Sequence, residues 1–342
     1  MTSEKHQLQI VQAFRGIAAL IILLMHIEVV AEFKFGGLDF AGRFFHQGYV
    51  GVDFFFVLSG FIIFLVHGSE IGRPEAARDY LLKRLIRIYP IAIILTAVKL
   101  VYLHLTSDAM VPTYKSTVAV AIDSLLLLPQ DRFPVIDVAW TLSHEMLFYM
   151  AFLGAIVVGK RIAARLVAAW VAVMAYLQTV AFLAGADQVY SMLGLFLFSP
   201  YNLEFLFGVL AAWIYRKALV PARWASLMVL TGLVMGARGF FYDWIGCCPV
   251  LLARCLFWGF AFFLIILGGA ILERAWQFRV PRPLRFLGDA SYSVYLFHSS
   301  VLIIICVLMA RLGLMRSGWE QGTLVACGIL ALVGSLVFYV LV

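Results

Sequence analysis

The chain has 342 residues, a formal net charge of +7, 64% hydrophobic residues and only 13% charged ones, with a mean hydropathy of +0.98. Soluble domains run about 45–50% apolar and about 25% charged, so a water-soluble globule is excluded: it lacks the polar residues to cover its surface. Lys and Arg sit in short loops between apolar runs rather than on a basic face with interleaved aromatics, a pattern that orients a membrane protein and argues against a nucleic-acid partner.

A helix needs about 20 apolar residues to cross the hydrocarbon core. Taken in chain order, such runs are expected near 14–31, 48–66, 87–105, 139–158, 165–184, 201–215, 224–237, 250–272, 290–310 and 321–342. The predicted fold is therefore all-α: a polytopic membrane bundle of about ten transmembrane helices forming a single domain over 1–342. The apolar run before residue 31 has no small-x-small cleavage site after it and reads as the first span. The run 117–129 is short and broken by Asp123 and Pro129, and is expected to lie re-entrant or on the surface. With that run not crossing and the N-terminus inside, most of the basic residues fall in inside loops, among them Arg73, Arg78, Lys160, Arg161, Arg216, Arg223, Arg282 and Arg285. If it crossed, the bias would largely cancel. The positive-inside rule thus predicts both termini on the cytoplasmic side. The span at 201–215 is the shortest, and the LGLFLFSP stretch before it is a candidate extension.

Ionisable groups at membrane depth are costly, so each requires a reason. In span 1, Arg15 and His26 are eleven residues apart, nearly three whole turns, so they share a stripe with a rise of about 16 Å. A cation below and an imidazole above suit an anionic ligand at the cytoplasmic face and proton transfer deeper in; a snorkelling Arg and a packed His are the plain alternative. In span 2, Asp53 either orients His26 or caps its helix, where negative charge is favourable; Ser59 lies about two turns deeper. Arg84 and Arg87, three apart at the start of span 3, either face phosphate groups with two guanidinium forks or simply anchor the inner boundary. In span 4, Trp140 is an expected interfacial anchor. Glu145 there requires a partner or a water-filled cavity, and the adjacent His144 points to a different face. In span 9, His298 is either a second site residue or an interhelical hydrogen-bond partner.

The five cysteines, Cys247, Cys248, Cys255, Cys306 and Cys327, form no CxxC and no His/Cys ligand spacing. They read as small apolar filler, and no metal is expected.

Several segments taken together resemble the membrane acyltransferase-3 family, in its exopolysaccharide O-acetyltransferase branch. They are the Arg15-x10-His26 pair, GVDFFFVLSGF (51–61), the Arg84-x-x-Arg87 of RLIRIYP, WTLSHEMLFY (140–149), LEFLFGV (203–209) and FLGDASYSVYLFH (286–298). The resemblance implies a ten-helix bacterial inner-membrane enzyme that takes an acyl group, usually acetyl, from cytoplasmic acyl-CoA. The acceptor is a hydroxyl of an envelope or exported glycan, or of a lipid-linked saccharide. It implies that His26 is essential, as a general base or as a transient acyl carrier, and that Arg15, Arg84 and Arg87 handle the donor. It also matches Glu145. Asp53 or Glu145 would orient the imidazole or bind the sugar, and Ser59, Trp140 and His298 are expected to contact substrate. Some family members carry a soluble esterase-like domain that this sequence does not show. A proton-coupled secondary transporter or flippase, with His26, Asp53 and Glu145 as a relay, fits the buried charges too, but the internal repeat that such folds carry is not evident. The sequence leaves the acceptor glycan and the oligomeric state open.

Overall fold

A computed structural model describes residues 8–34, 44–106, 113–183, 192–242, 251–277, 279–311 and 320–341. Lys5, Arg43, Cys247, Cys248 and Arg316 lie outside the described residues. Thirteen α-helices account for the described chain, without strands among the described residues. They are α1 (Gln9–Lys34), α2 (Val50–His67), α3 (Ala77–Thr106), α4 (Val118–Leu126), α5 (Trp140–Val158), α6 (Lys160–Leu183), α7 (Met192–Leu197), α8 (Tyr201–Lys217), α9 (Ala225–Tyr242), α10 (Leu251–Trp276), α11 (Arg282–Asp289), α12 (Ser291–Arg311) and α13 (Glu320–Leu341). Among the described residues, ten helical segments are long and apolar enough to cross a membrane. The helix α6 shows why lipid must surround them: Met174 is its one buried residue, so an apolar helix turns nearly its whole circumference outward.

Three boundaries differ from the sequence expectation for physical reasons. The third helix starts at Ala77, ten residues before the apolar run, because ARDYLLKRLI is made of strong helix formers. Arg84 and Arg87 therefore lie within α3, about two turns in, rather than at its mouth. The stretch before residue 201 is a separate short helix, α7, and Pro200 lies in the break before α8. The 117–129 run forms α4, nine residues long and too short to span. Leu127 ends it in a left-handed conformation at φ 54°.

The chain divides into two compact units: residues 1–58, 210–247 and 257–342, and residues 59–209 and 248–256. In the first, α1 packs on α11, α12 and α13, and α12 packs on α13. The N-terminal amides of α1 have no partner within their own helix. Glu273 of α10 supplies one: its carboxylate accepts from the Gln9 and Ile10 N–H groups at 2.8 and 2.7 Å. A negative charge also suits the positive end of the helix dipole. The other side of α1 meets α11 at Gly288, where any Cβ would collide with the Gln12 carbonyl. Cys306 and Cys327 sit in an apolar cluster with Leu23, Ile27 and Leu302, as expected of filler.

In the second unit, α3 packs on α4 and α5, and α5 packs on α6. Gly60 meets the Phe205 carbonyl with no room for a Cβ, which sets the closest approach of α2 to α8 beside Ser59. The segment leading into α5 is pinned by Asp137, which accepts from Lys99 at 3.4 Å and from Lys115.

Candidate active site

His26 and His298 meet in the first unit. His26 is on α1, eleven residues beyond Arg15 on one continuous helix, and His298 is on α12, fully buried. Their rings lie edge to face with centroids 4.6 Å apart. Hydrogen-bond geometry fixes both tautomers. His298 Nδ1 is 2.9 Å from the Val294 carbonyl oxygen, so it carries the proton, and Nε2 keeps its lone pair. His26 Nδ1 is 2.9 Å from the Ile22 carbonyl and 3.2 Å from that His298 Nε2. Two acceptors facing one nitrogen require it to be the donor. The unprotonated nitrogen of His26 is therefore Nε2, an imidazole set up to receive a proton or to attack a carbonyl. His298 is thus an interhelical hydrogen-bond partner, and its partner is His26 itself.

Arg15 donates from Nη1 to Gln12 Oε1 at 3.1 Å, one turn away. Asp53 is fully buried in the first turn of α2. The helix starts at Val50, so Asp53 is past the capping position, and a capping side chain would have to come from Tyr49. Its charge still lies near the positive end of that helix.

The second unit holds the remaining candidates. Glu145 Oε1 accepts from Ser59 Oγ at 3.2 Å and from the Tyr149 hydroxyl one turn along α5. Among the partners of the His26 Nδ1 proton are the Ile22 carbonyl and His298, whereas the carboxylate of Glu145 is engaged by these two hydroxyls. Arg84 is buried at 8% exposure, while Arg87, three residues on, is exposed. Arg84 Nη2 donates to His67 Nε2 at 3.0 Å, and His67 Nδ1 in turn donates to Glu70 at 2.7 Å. The guanidinium lies 5.8 and 5.7 Å from the Tyr80 and Tyr149 ring centroids. Its Nε is buried without a hydrogen-bond partner among the described residues. A buried cation packed on aromatic faces, with a donor left over, is poorly explained by anchoring at the membrane boundary. Trp140 opens α5, tilted against Tyr201 at 5.4 Å and edge-on to His144 at 5.8 Å.

Sequence reasoning did not single out His67 or Tyr149. Tyr149 was nevertheless legible, since it stands four residues after Glu145 in the WTLSHEMLFY stretch, on the same helical face. His67 closes α2 and carries no local signal.

Residues 9–340 match the family described as "Acyltransferase domain" (acyltransferase-3). The "Exopolysaccharide production protein ExoZ" of Rhizobium meliloti (strain 1021) is 26% identical over 292 residues, 82% of this chain and 84% of that protein. "Protein 2 in picA locus" of Rhizobium radiobacter is 32% identical over 94 residues, 27% of this chain and 44% of that protein. No solved structure matches the chain. The transporter reading of the buried charges gives way to an enzymatic one. The chain is a multi-pass membrane acyltransferase, and it belongs to the membrane acyltransferase-3 family.

Proposed function

We infer that the protein moves an acyl group, acetyl by preference, from cytoplasmic acyl-CoA to a hydroxyl of an envelope or exported glycan in a bacterial inner membrane. The observation that carries this reading is the His26 ring, whose Nδ1 proton is held by the Ile22 carbonyl and His298, so that Nε2 is the basic nitrogen. In the proposed step, His26 Nε2 removes the proton from the acceptor hydroxyl as its oxygen attacks the thioester carbonyl. The new C–O bond forms, the C–S bond breaks, and the CoA thiolate leaves with the proton from the imidazolium. General-base catalysis of this kind contributes typically about 10²–10⁴-fold.

Acyl-CoA is too highly charged to dissolve in lipid, but its pantetheine arm is long and thin. Arg84 supports phosphate docking, because its buried Nε lacks a partner that an anionic oxygen would supply. Arg15 and Arg87 are assigned to the same donor. Glu145, held by Ser59 and Tyr149, and Asp53 are assigned to arranging the acceptor around the reacting atoms. The glycan acceptor is consistent with the relative named for exopolysaccharide production. The basic loops support cytoplasmic termini, and an even number of crossings puts both ends on one face.

The test is transfer of label from acetyl-CoA carrying a heavy-isotope acetyl group, using purified protein and an exported polysaccharide fraction. His26→Ala is expected to insert and purify normally and to abolish transfer. Near-normal transfer by that variant would overturn the mechanism, and label that stayed on CoA with wild-type protein would overturn the reaction. An acetyl group trapped on His26 by rapid quenching would replace the general-base route with a covalent one.

A further inference from the structure

Within the second unit the Arg84 guanidinium is held by an imidazole, and among the described residues no carboxylate forms an ion pair with it. His67, at the end of α2, is 2% exposed. An ionised carboxylate can only accept, so Glu70 Oε2 at 2.7 Å requires the proton on His67 Nδ1. A guanidinium can only donate, so Arg84 Nη2 at 3.0 Å requires the lone pair on His67 Nε2. Both contacts demand the same neutral tautomer. A carboxylate behind a ligating imidazole fixes the ring and makes its far nitrogen a stronger acceptor, as it does around metal ions; here the cation is an arginine.

The ring and the carboxylate are also positioned by contacts other than Arg84. Glu70 stands in the turn after α2, where its N–H donates to the His67 carbonyl at 2.8 Å. Two residues on, the Gly72 N–H donates to the Ile156 carbonyl of α5 at 2.9 Å, from a backbone at φ 86° that favours glycine. Tyr80 of α3 meets the imidazole edge to face at 5.0 Å, and its own hydroxyl donates to the Tyr149 carbonyl at 3.3 Å.

The consequence is electrostatic. A guanidinium paired directly with a carboxylate has much of its charge cancelled at contact range, and an incoming anion is repelled by that partner. A neutral imidazole orients the same guanidinium through one nitrogen and cancels none of its charge. Glu70 lies on the far side of the ring, so it balances the cluster without touching the cation. This arrangement suits an arginine that receives an anion better than one that only ties helices together.

We propose that His67, set by Glu70, is a positioning residue that presents Arg84 to a phosphate group of the acyl-CoA donor. The assignment rests on the donor role proposed for Arg84 and adds what aims that guanidinium and preserves its charge.

The test is isothermal titration of coenzyme A into the full-length protein in detergent micelles. His67→Leu is expected to weaken binding about two- to tenfold, the loss of one hydrogen bond. His67→Gln, which offers Oε1 as an acceptor to Arg84, should stay within about twofold of wild type. In an Arg84→Gln background His67→Leu should weaken binding no further, because its effect passes through the guanidinium. Glu70→Ala and Glu70→Gln both remove the charge, but only Gln can still accept from Nδ1, so the Ala variant should bind coenzyme A more weakly than the Gln variant. That pair decides the matter if His67→Leu fails to fold. Equal affinities of wild type and folded His67→Leu, equal losses in the Leu and Gln variants, a full His67→Leu effect in the Arg84→Gln background, or no difference between the two Glu70 variants would overturn the proposal. The donor reading fails separately: wild-type affinity in Arg84→Gln removes Arg84 from the donor site and the proposal with it, whereas a loss in Arg84→Gln with none in His67→Leu refutes the positioning role alone.

Discussion

Replacing His298 by Phe tests whether the paired imidazoles act as a unit. Phe preserves a ring in a site where His298 is fully buried, but it removes the Nε2 lone pair that faces His26 Nδ1 at 3.2 Å. In the ground state that bond joins two neutral rings and is of ordinary strength. In the transition state His26 carries the proton from the acceptor hydroxyl, and the bond is then made to a charged donor. Hydrogen bonds to charged groups are worth about 1.5–3 kcal/mol against about 0.5–1.5 kcal/mol for neutral ones, so the strengthening lost is about 1–1.5 kcal/mol and kcat should fall about 5- to 12-fold. The Ile22 carbonyl remains and retains part of the orientation. Because the bond strengthens only as charge develops, KM for acyl-CoA should change little. His298→Gln, which can place Oε1 near the lost nitrogen, should recover part of the rate. Steady-state kinetics of acetyl-CoA consumption on variants checked for monodisperse elution would decide it. A folded His298→Phe enzyme within twofold of wild-type turnover, or equal losses in the Phe and Gln variants, would refute the positioning role.

The other predictions concern donor binding and the frame that holds the site. Arg84→Gln should raise KM for acyl-CoA about 10- to 150-fold by removing a charge-assisted contact, and Arg87→Gln, at the more exposed position, should raise it less; an unchanged donor KM would return Arg84 to a structural role. Glu273→Ala leaves two α1 amides without their acceptor and should cost about 0.5–2 kcal/mol, seen as a lower thermal midpoint in fluorescence-detected size exclusion, with Glu273→Gln falling between. Gly60→Ala forces α2 away from the Phe205 carbonyl and should destabilise by about 1–3 kcal/mol while also reducing turnover, because Ser59 moves with it away from Glu145.

The legible parts of the molecule are those governed by apolar length. The ten spanning segments follow from runs of about 20 hydrophobic residues, and the shortness of 117–129 correctly kept it from crossing. Helix ends were less legible where charged residues continue a helix past its apolar run, as ARDYLLKRLI does ahead of span 3. At the candidate site, the placement of Arg15 and His26 on one continuous helix could be read from spacing. The His298 partner of His26 could not: a hydrogen bond across 272 positions leaves no periodic trace. The difference in burial between Arg84 and Arg87 was also hidden, because residues three apart share a helical face and spacing does not show which of the two a neighbouring helix covers.

The clasp of Glu273 on Gln9 and Ile10 has a bearing on the order in which the enzyme comes to life. The helix bearing His26 is among the first products of the ribosome, yet the carboxylate that finishes its leading turn is made 263 residues after Ile10. At about 5–20 residues per second that interval is roughly 13–50 s, and the second imidazole emerges later still. Throughout that wait the nascent chain has its basic nitrogen but neither its clasp nor its companion ring. A polypeptide interrupted before Glu273 would carry His26 without either partner, so the site's full rate awaits the chain's last quarter.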